Sequence, residues 1–94
     1  ETNGKRRIIR LGQLILNVDI VTTEEVVYSG AADIVIAPGS EGQLGILPRH
    51  APLLTSIKPG EVVLRNGTQE SSVPVNGGFL EVKNDKVTIL TVMT

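Results

Sequence analysis

With 94 residues, a formal net charge of −1 and no cysteine, the chain has room for one folded domain and none for disulfide, thiolate, zinc-ribbon or iron–sulfur chemistry. Its 12 Val, 9 Ile and 10 Leu stand against only 4 Ala, a balance that favours sheet over helix. One Tyr, one Phe and no Trp leave no stacking platform for bases, and near-neutrality removes a global basic field, so nucleic acid is not an expected partner.

Residues 1–13 carry Lys5, Arg6, Arg7 and Arg10 without the long apolar core or cleavage site of a signal peptide, and read as a flexible or appended basic arm. The folded domain is expected over 14–94. From Leu14 the pattern has period two: Leu14, Leu16, Val18 and Ile20 share one side, with Ile15, Asn17, Asp19 and Val21 on the other. Val26 to Tyr28 is a short second strand before a turn at Ser29-Gly30, and Asp33 to Ala37 a third, stopped by Pro38-Gly39. Gly39, Gly42 and Gly45 recur at intervals of three, which suits a loop or hairpin tip better than an element interior. Leu53 to Ile57 is the next strand, closed by Lys58-Pro59-Gly60 as a type II turn. Glu61 to Arg65 and Ser71 to Val75 flank Asn66-Gly67, a strong hairpin signal, and Gly78 to Lys83 and Lys86 to Val92 flank Asn84-Asp85. Turn signals about every 8 to 12 residues are the rhythm of an all-β sandwich or barrel. Apolar runs such as Ile34 to Ala37 fall far short of the roughly 20 residues of a transmembrane helix.

Candidate chemistry is sparse. His50 is the single histidine, so a catalytic triad would have to join it to Ser40 or Ser56 and to Asp33, yet neither serine lies in a nucleophile-elbow pattern. The glycine-rich stretch Gly39 to Gly45 matches neither GxGxxG nor GxxxxGK[ST], so ordinary turn chemistry outweighs phosphate binding. Asn66-Gly67-Thr68 matches a glycosylation sequon but coincides with the hairpin turn. The carboxylates are scattered and nothing in the sequence selects a pair. No catalytic residue, cofactor or metal site is therefore expected. More informative is the excess of apolar residues: in Leu14 to Val21 and Val87 to Val92 both phases are apolar, the mark of a strand covered on both faces, with a partner as one possible cover.

The run from Ser29 to Gly60, above all Gly42-Gln43-Leu44-Gly45-Ile46-Leu47-Pro48-Arg49-His50-Ala51-Pro52-Leu53-Leu54, together with Gly77-Gly78-Phe79-Leu80-Glu81-Val82, closely resembles the N-terminal domain of the epsilon subunit of F-type ATP synthases, the counterpart of the mitochondrial delta subunit. The resemblance runs from about Leu14 to Thr94. It implies a flattened β-sandwich of about ten short, mostly antiparallel strands. It also implies a non-catalytic central-stalk subunit that binds gamma, touches the membrane rotor ring of c subunits, and passes rotation driven by protons or sodium ions to the catalytic head. The location implied is the cytoplasmic face of a bacterial inner membrane, or the stromal face of a thylakoid, with membrane contact only through the complex. By similarity the loop Ser40 to His50 faces the ring, with Ser40, Glu41, Gln43 and His50 as contacts, and Gly77, Gly78, Phe79 and Leu80 face gamma. Many relatives carry an acid where Gln43 stands, which exchanges a charged pair for a neutral hydrogen bond. Relatives usually continue into a C-terminal helical hairpin that inhibits ATP hydrolysis or binds ATP; the sequence reaches Thr94 where that hairpin would begin, so neither property is expected of these residues. The rival expectation is a free-standing β-sandwich that binds a ligand or carbohydrate, which requires an apolar pocket with convergent polar groups.

Overall fold

The computed structural model describes residues 15–92. The basic arm expected over 1–13 and the chain end at Thr94 lie outside the described residues, as does Leu14. All regular structure within them is strand: β1 Leu16–Val21, β2 Val26–Ala32, β3 Ile34–Gly39, β4 Gly42–Ile46, β5 Leu53–Asn66, β6 Gln69–Lys83 and β7 Lys86–Thr91. They form one sheet in the order β2-β1-β7-β6-β5-β3-β4, antiparallel throughout except for the parallel β1–β7 pair.

The sheet makes two layers because β5 and β6 bend together. Their ladder runs from Leu53↔Val82 to Ile57↔Gly78 and resumes at Pro59↔Asn76, passing over Lys58 and Gly77. Gly77 and Gly78 hold φ values of 86° and 130° at this corner. One layer holds β2, β1, β7, the end of β6 and the start of β5; the other holds the start of β6, the end of β5, β3 and β4. Leu16, Val18 and Ile20 of β1, Leu80 and Val82 of β6, and Val87 and Ile89 of β7 form one core with Val35, Ala37, Ile46, Val62 and Leu64 of the opposite layer. This is a β-sandwich, as expected, but among the described residues its strands number seven rather than about ten, because two of them each serve both layers.

Four local expectations are corrected by the same cause, a tertiary partner overriding a local turn preference. Lys58-Pro59-Gly60 is no chain reversal but part of β5, and the bend is shared with the glycine pair of β6. Ser29-Gly30 continues β2, since Gly30 and Ser29 pair with Val18 and Asp19. Pro38-Gly39 belongs to β3; the register towards β5 is irregular between Ile36 and Gly39, so the N–H that proline lacks falls where the ladder is already broken. Gly45 lies inside β4, opposite Ile36. The turn after β5 is also displaced by one residue: Asn66 pairs with Gln69, so Gly67-Thr68 is the loop, with Gly67 at φ 67° as a type II′ turn requires. The Asn84-Asp85 hairpin stands where expected, both residues at positive φ (51° and 61°) in the manner of type I′.

Candidate functional site

Strand alternation decides which residues of the β6–β7–β1 layer are available. Leu80, Val82, Val87, Ile89 and Thr91 point into the core, so Phe79, Glu81, Thr88 and Leu90 stand on the outside. Register then aligns Ser56, Phe79, Leu90, Val21 and Val26 in one row across five strands. Phe79 is 57% exposed, Leu90 43% and Val26 62%, a contiguous apolar stripe of the kind monomers rarely leave uncovered. Leu54 and Val92 are further exposed apolar residues of this layer. The neighbouring row, Leu54, Glu81, Thr88, Asp19 and Ser29, is mainly polar. There Asp19 accepts a hydrogen bond from Ser29 Oγ at 2.7 Å and pairs with Lys86 Nζ at 3.0 Å. The Ser29 hydrogen bond, helped by Lys86, holds the Asp19 carboxyl below its ordinary value of 3.8.

The expected gamma-facing group therefore divides. Phe79 is on the surface and Gly77 and Gly78 are half-buried at the corner, but Leu80 is fully buried and its side chain belongs to the core. Leu90 and Val26, absent from that group, share the surface with Phe79. The signal for Leu90 was present in the doubly apolar pattern of β7, whose second face the described residues leave open.

The ring-facing residues divide as well. The stretch from Ser40 to His50 is no plain loop: Ser40-Glu41 is a two-residue hairpin tip, and Gly42–Ile46 is the edge strand β4. Ser40 is tied to β5 near the bend, its N–H donating to Ser56 O at 3.1 Å and its hydroxyl 2.6 Å from that of Ser56. Glu41 and Gln43 are exposed beside it. His50 comes beyond the other end of β4, about 13 Å of strand away at ~3.3 Å per residue. It is half-buried, with Nδ1 2.8 Å from Ala51 O and its N–H on Leu47 O. Next to it, Arg49 holds φ 70° and its N–H donates to the Asp85 carboxylate at the β6–β7 turn.

Nothing nucleophilic is assembled from these groups. Ser40 and Ser56 pair with each other, His50 is engaged with Ala51, and the Asp33 carboxylate accepts from Gly67 N at 2.6 Å. Among the described residues no group of three or more His, Asp or Glu is placed to hold a metal ion. A cleft of about 320 Å³ is lined by Tyr28, Ala31, Leu64, Asn66, Gln69 and Ser71. Asn66, Gln69 and Ser71 are exposed, so it is an open groove rather than the apolar pocket that a ligand-binding module requires. No helix among the described residues is long and apolar enough to cross a membrane.

The architecture is thus that of a bent-sheet sandwich offering surfaces rather than a reaction centre. The family described as ATP synthase, Delta/Epsilon chain, beta-sandwich domain matches residues 15–93, and the chain belongs to it. It is 52% identical over 75 residues to an ATP synthase epsilon chain of Dehalococcoides mccartyi, covering 80% of this chain and 54% of that one. An ATP synthase epsilon chain of Acidithiobacillus ferridurans is 49% identical over 77 residues, covering 82% of this chain and 55% of that relative. The chain thus spans about half the length of the curated relatives it matches. Its fold is similar to a chain in a cryo-EM structure of the Euglena gracilis mitochondrial ATP synthase, with TM-score 0.79, 20% identity, and 85% of this chain against 52% of that one. A chain in the Tetrahymena thermophila mitochondrial ATP synthase central stalk and c-ring gives TM-score 0.68 at 19% identity, over 83% of this chain and 63% of that one.

Proposed function

We propose that this chain is a non-catalytic rotor subunit of the central stalk of an F-type ATP synthase, passing ion-driven rotation of the membrane ring through gamma to the catalytic head. Its place is then peripheral, on the face of the membrane where that head sits. The observation that carries the reading is the exposed row Phe79, Leu90 and Val26 in a chain belonging to a stalk-subunit family. Covering that row removes apolar surface from water, which favours a lasting protein contact of the kind gamma would supply, with Gly77 and Gly78 at its margin.

The polar edge of the other layer, from Ser40, Glu41 and Gln43 at the tip to His50 beyond β4, is assigned to the ring. Rim-like polar contacts add orientation and specificity more than affinity, which suits a face that meets a ring of repeated loops. Gln43 is neutral, so its contact is a hydrogen bond rather than an ion pair. Torque transfer needs stiffness between the two faces. The shared β5–β6 bend, anchored by Thr91, supplies it: Thr91 Oγ1 donates to Gly77 O at 2.6 Å and accepts from Asn76 N at 3.2 Å.

The test is reconstitution. Membranes stripped of the native subunit are given the chain, and association with gamma and coupled ATP synthesis are measured together. Phe79→Ser with Leu90→Ser is expected to abolish association with gamma, whereas Glu41→Lys is expected to leave it intact and reduce coupling. A wild-type chain with no affinity for gamma, or a double variant that still binds it, overturns the assignment.

A further inference from the structure

We infer that Asn66 is a site of spontaneous deamidation in the folded protein, and that Asp33 holds its rate down. Asn-Gly is the sequence in which the following backbone nitrogen meets least obstruction, because glycine has no Cβ. Two such pairs lie in the described residues, Asn66-Gly67 and Asn76-Gly77, and the fold treats them differently. Asn76 is half-buried within β6, where its N–H donates to Thr91 Oγ1 and the Gly77 carbonyl accepts from the same hydroxyl. Asn66 is exposed and opens the β5–β6 hairpin loop.

The reaction needs only water. The Gly67 nitrogen loses its proton and attacks Cγ of Asn66; the Cγ–Nδ2 bond breaks and ammonia leaves, closing a succinimide ring. Water then opens the ring at one carbonyl or the other, leaving aspartate or isoaspartate. In this structure the attacking N–H is already committed, donating to Asp33 Oδ2 at 2.6 Å. A carboxylate is too weak a base to deprotonate an amide, and its negative charge disfavours the amide anion. Asp33 therefore acts as a guard. It is held in place in turn, because its own N–H donates to Arg65 O at 2.7 Å.

Conversion would have a structural consequence. Asn66 Nδ2 reaches Ala31 O at 3.5 Å, a link between the hairpin and β2 that a carboxylate cannot make, and the new charge would lie beside Asp33. The closure between the two layers at this end of the sandwich would loosen.

The folded chain is incubated at neutral to mildly alkaline pH and its peptides are mapped by mass spectrometry with enzymatic isoaspartate detection. Wild type is expected to convert at Asn66 before Asn76, and more slowly than the same peptide in urea. Asp33→Ala is expected to raise the rate at Asn66 roughly tenfold, the factor one lost hydrogen bond to a charged group gives. Asp33→Asn, which keeps an acceptor oxygen without the charge, should fall between. An unchanged Asn66 rate in Asp33→Ala, conversion at Asn76 first, or a parallel rise at both sites, which signals general loosening, overturns the inference.

Discussion

Two of the glycine-bearing places where the chain turns sharply are opposites. At the β5–β6 corner the backbone of β6 passes so close to β7 that a Cβ on Gly78 would stand 1.9 Å from Leu90 O. At the β3–β4 tip Gly42 has φ 136°, yet a Cβ there would meet nothing within 4 Å. Gly78 is fixed by what surrounds it, Gly42 only by its own backbone. A corner of this kind can carry load but cannot vary, while a tip exposed to solvent is free to carry recognition without endangering the fold.

The contrast is open to measurement. Gly78→Ala combines a steric clash with backbone and an unfavourable φ, so it should destabilise by about 3 kcal/mol or more in urea unfolding and approach failure to fold. Thr91→Val keeps the shape but strands Asn76 N and Gly77 O in a partly buried site, and should cost about 1 to 3 kcal/mol. Gly42→Ala brings only the backbone penalty, about 1 kcal/mol, and if it equals Gly78→Ala the contrast between corner and tip fails. Glu41→Gln should change unfolding by less than about 0.5 kcal/mol, its side chain being exposed.

The smallest effect concerns pH. The folded-state value of Asp19 is depressed, so its contribution is present above the unfolded value near 3.8 and is lost as pH falls through the folded value. Unfolding midpoints of wild type and Ser29→Ala should therefore differ near neutrality and converge in strong acid, and salt should shrink the Lys86 share. A difference that grows on acidification would contradict this sign.

Much of the sandwich was legible from residue pattern. Leu16, Val18 and Ile20 alternate into the core as period two requires, and the Asn84-Asp85 turn falls where its residue types place it. Where local and tertiary signals competed, the local one misled: Ser29-Gly30, Pro38-Gly39 and Lys58-Pro59-Gly60 all look like turns and all lie within strands. The candidate surfaces were legible as segments but not as faces. Gly77-Gly78-Phe79-Leu80 is one run in sequence, yet alternation sends Phe79 outward and Leu80 inward, and only cross-strand register adds Leu90 and Val26 to the same patch. Ser40 and His50, close in sequence, are parted by β4.

Composition and periodicity by themselves determined that the described residues form an all-β fold without thiol chemistry, since branched aliphatics at alternating positions bury well only on a pleated surface. The motif from Gly42 to Leu54 with Gly77 to Val82 determined its family. Tertiary structure alone decided that one sheet would bend into two layers, because the bend shared by β5 and β6 closes a core between residues far apart in the chain, such as Leu16 and Val18 of β1 and Val62 and Leu64 of β5. It likewise decided which apolar residues remain outside, because exposure belongs to the register of neighbouring strands and not to any one residue.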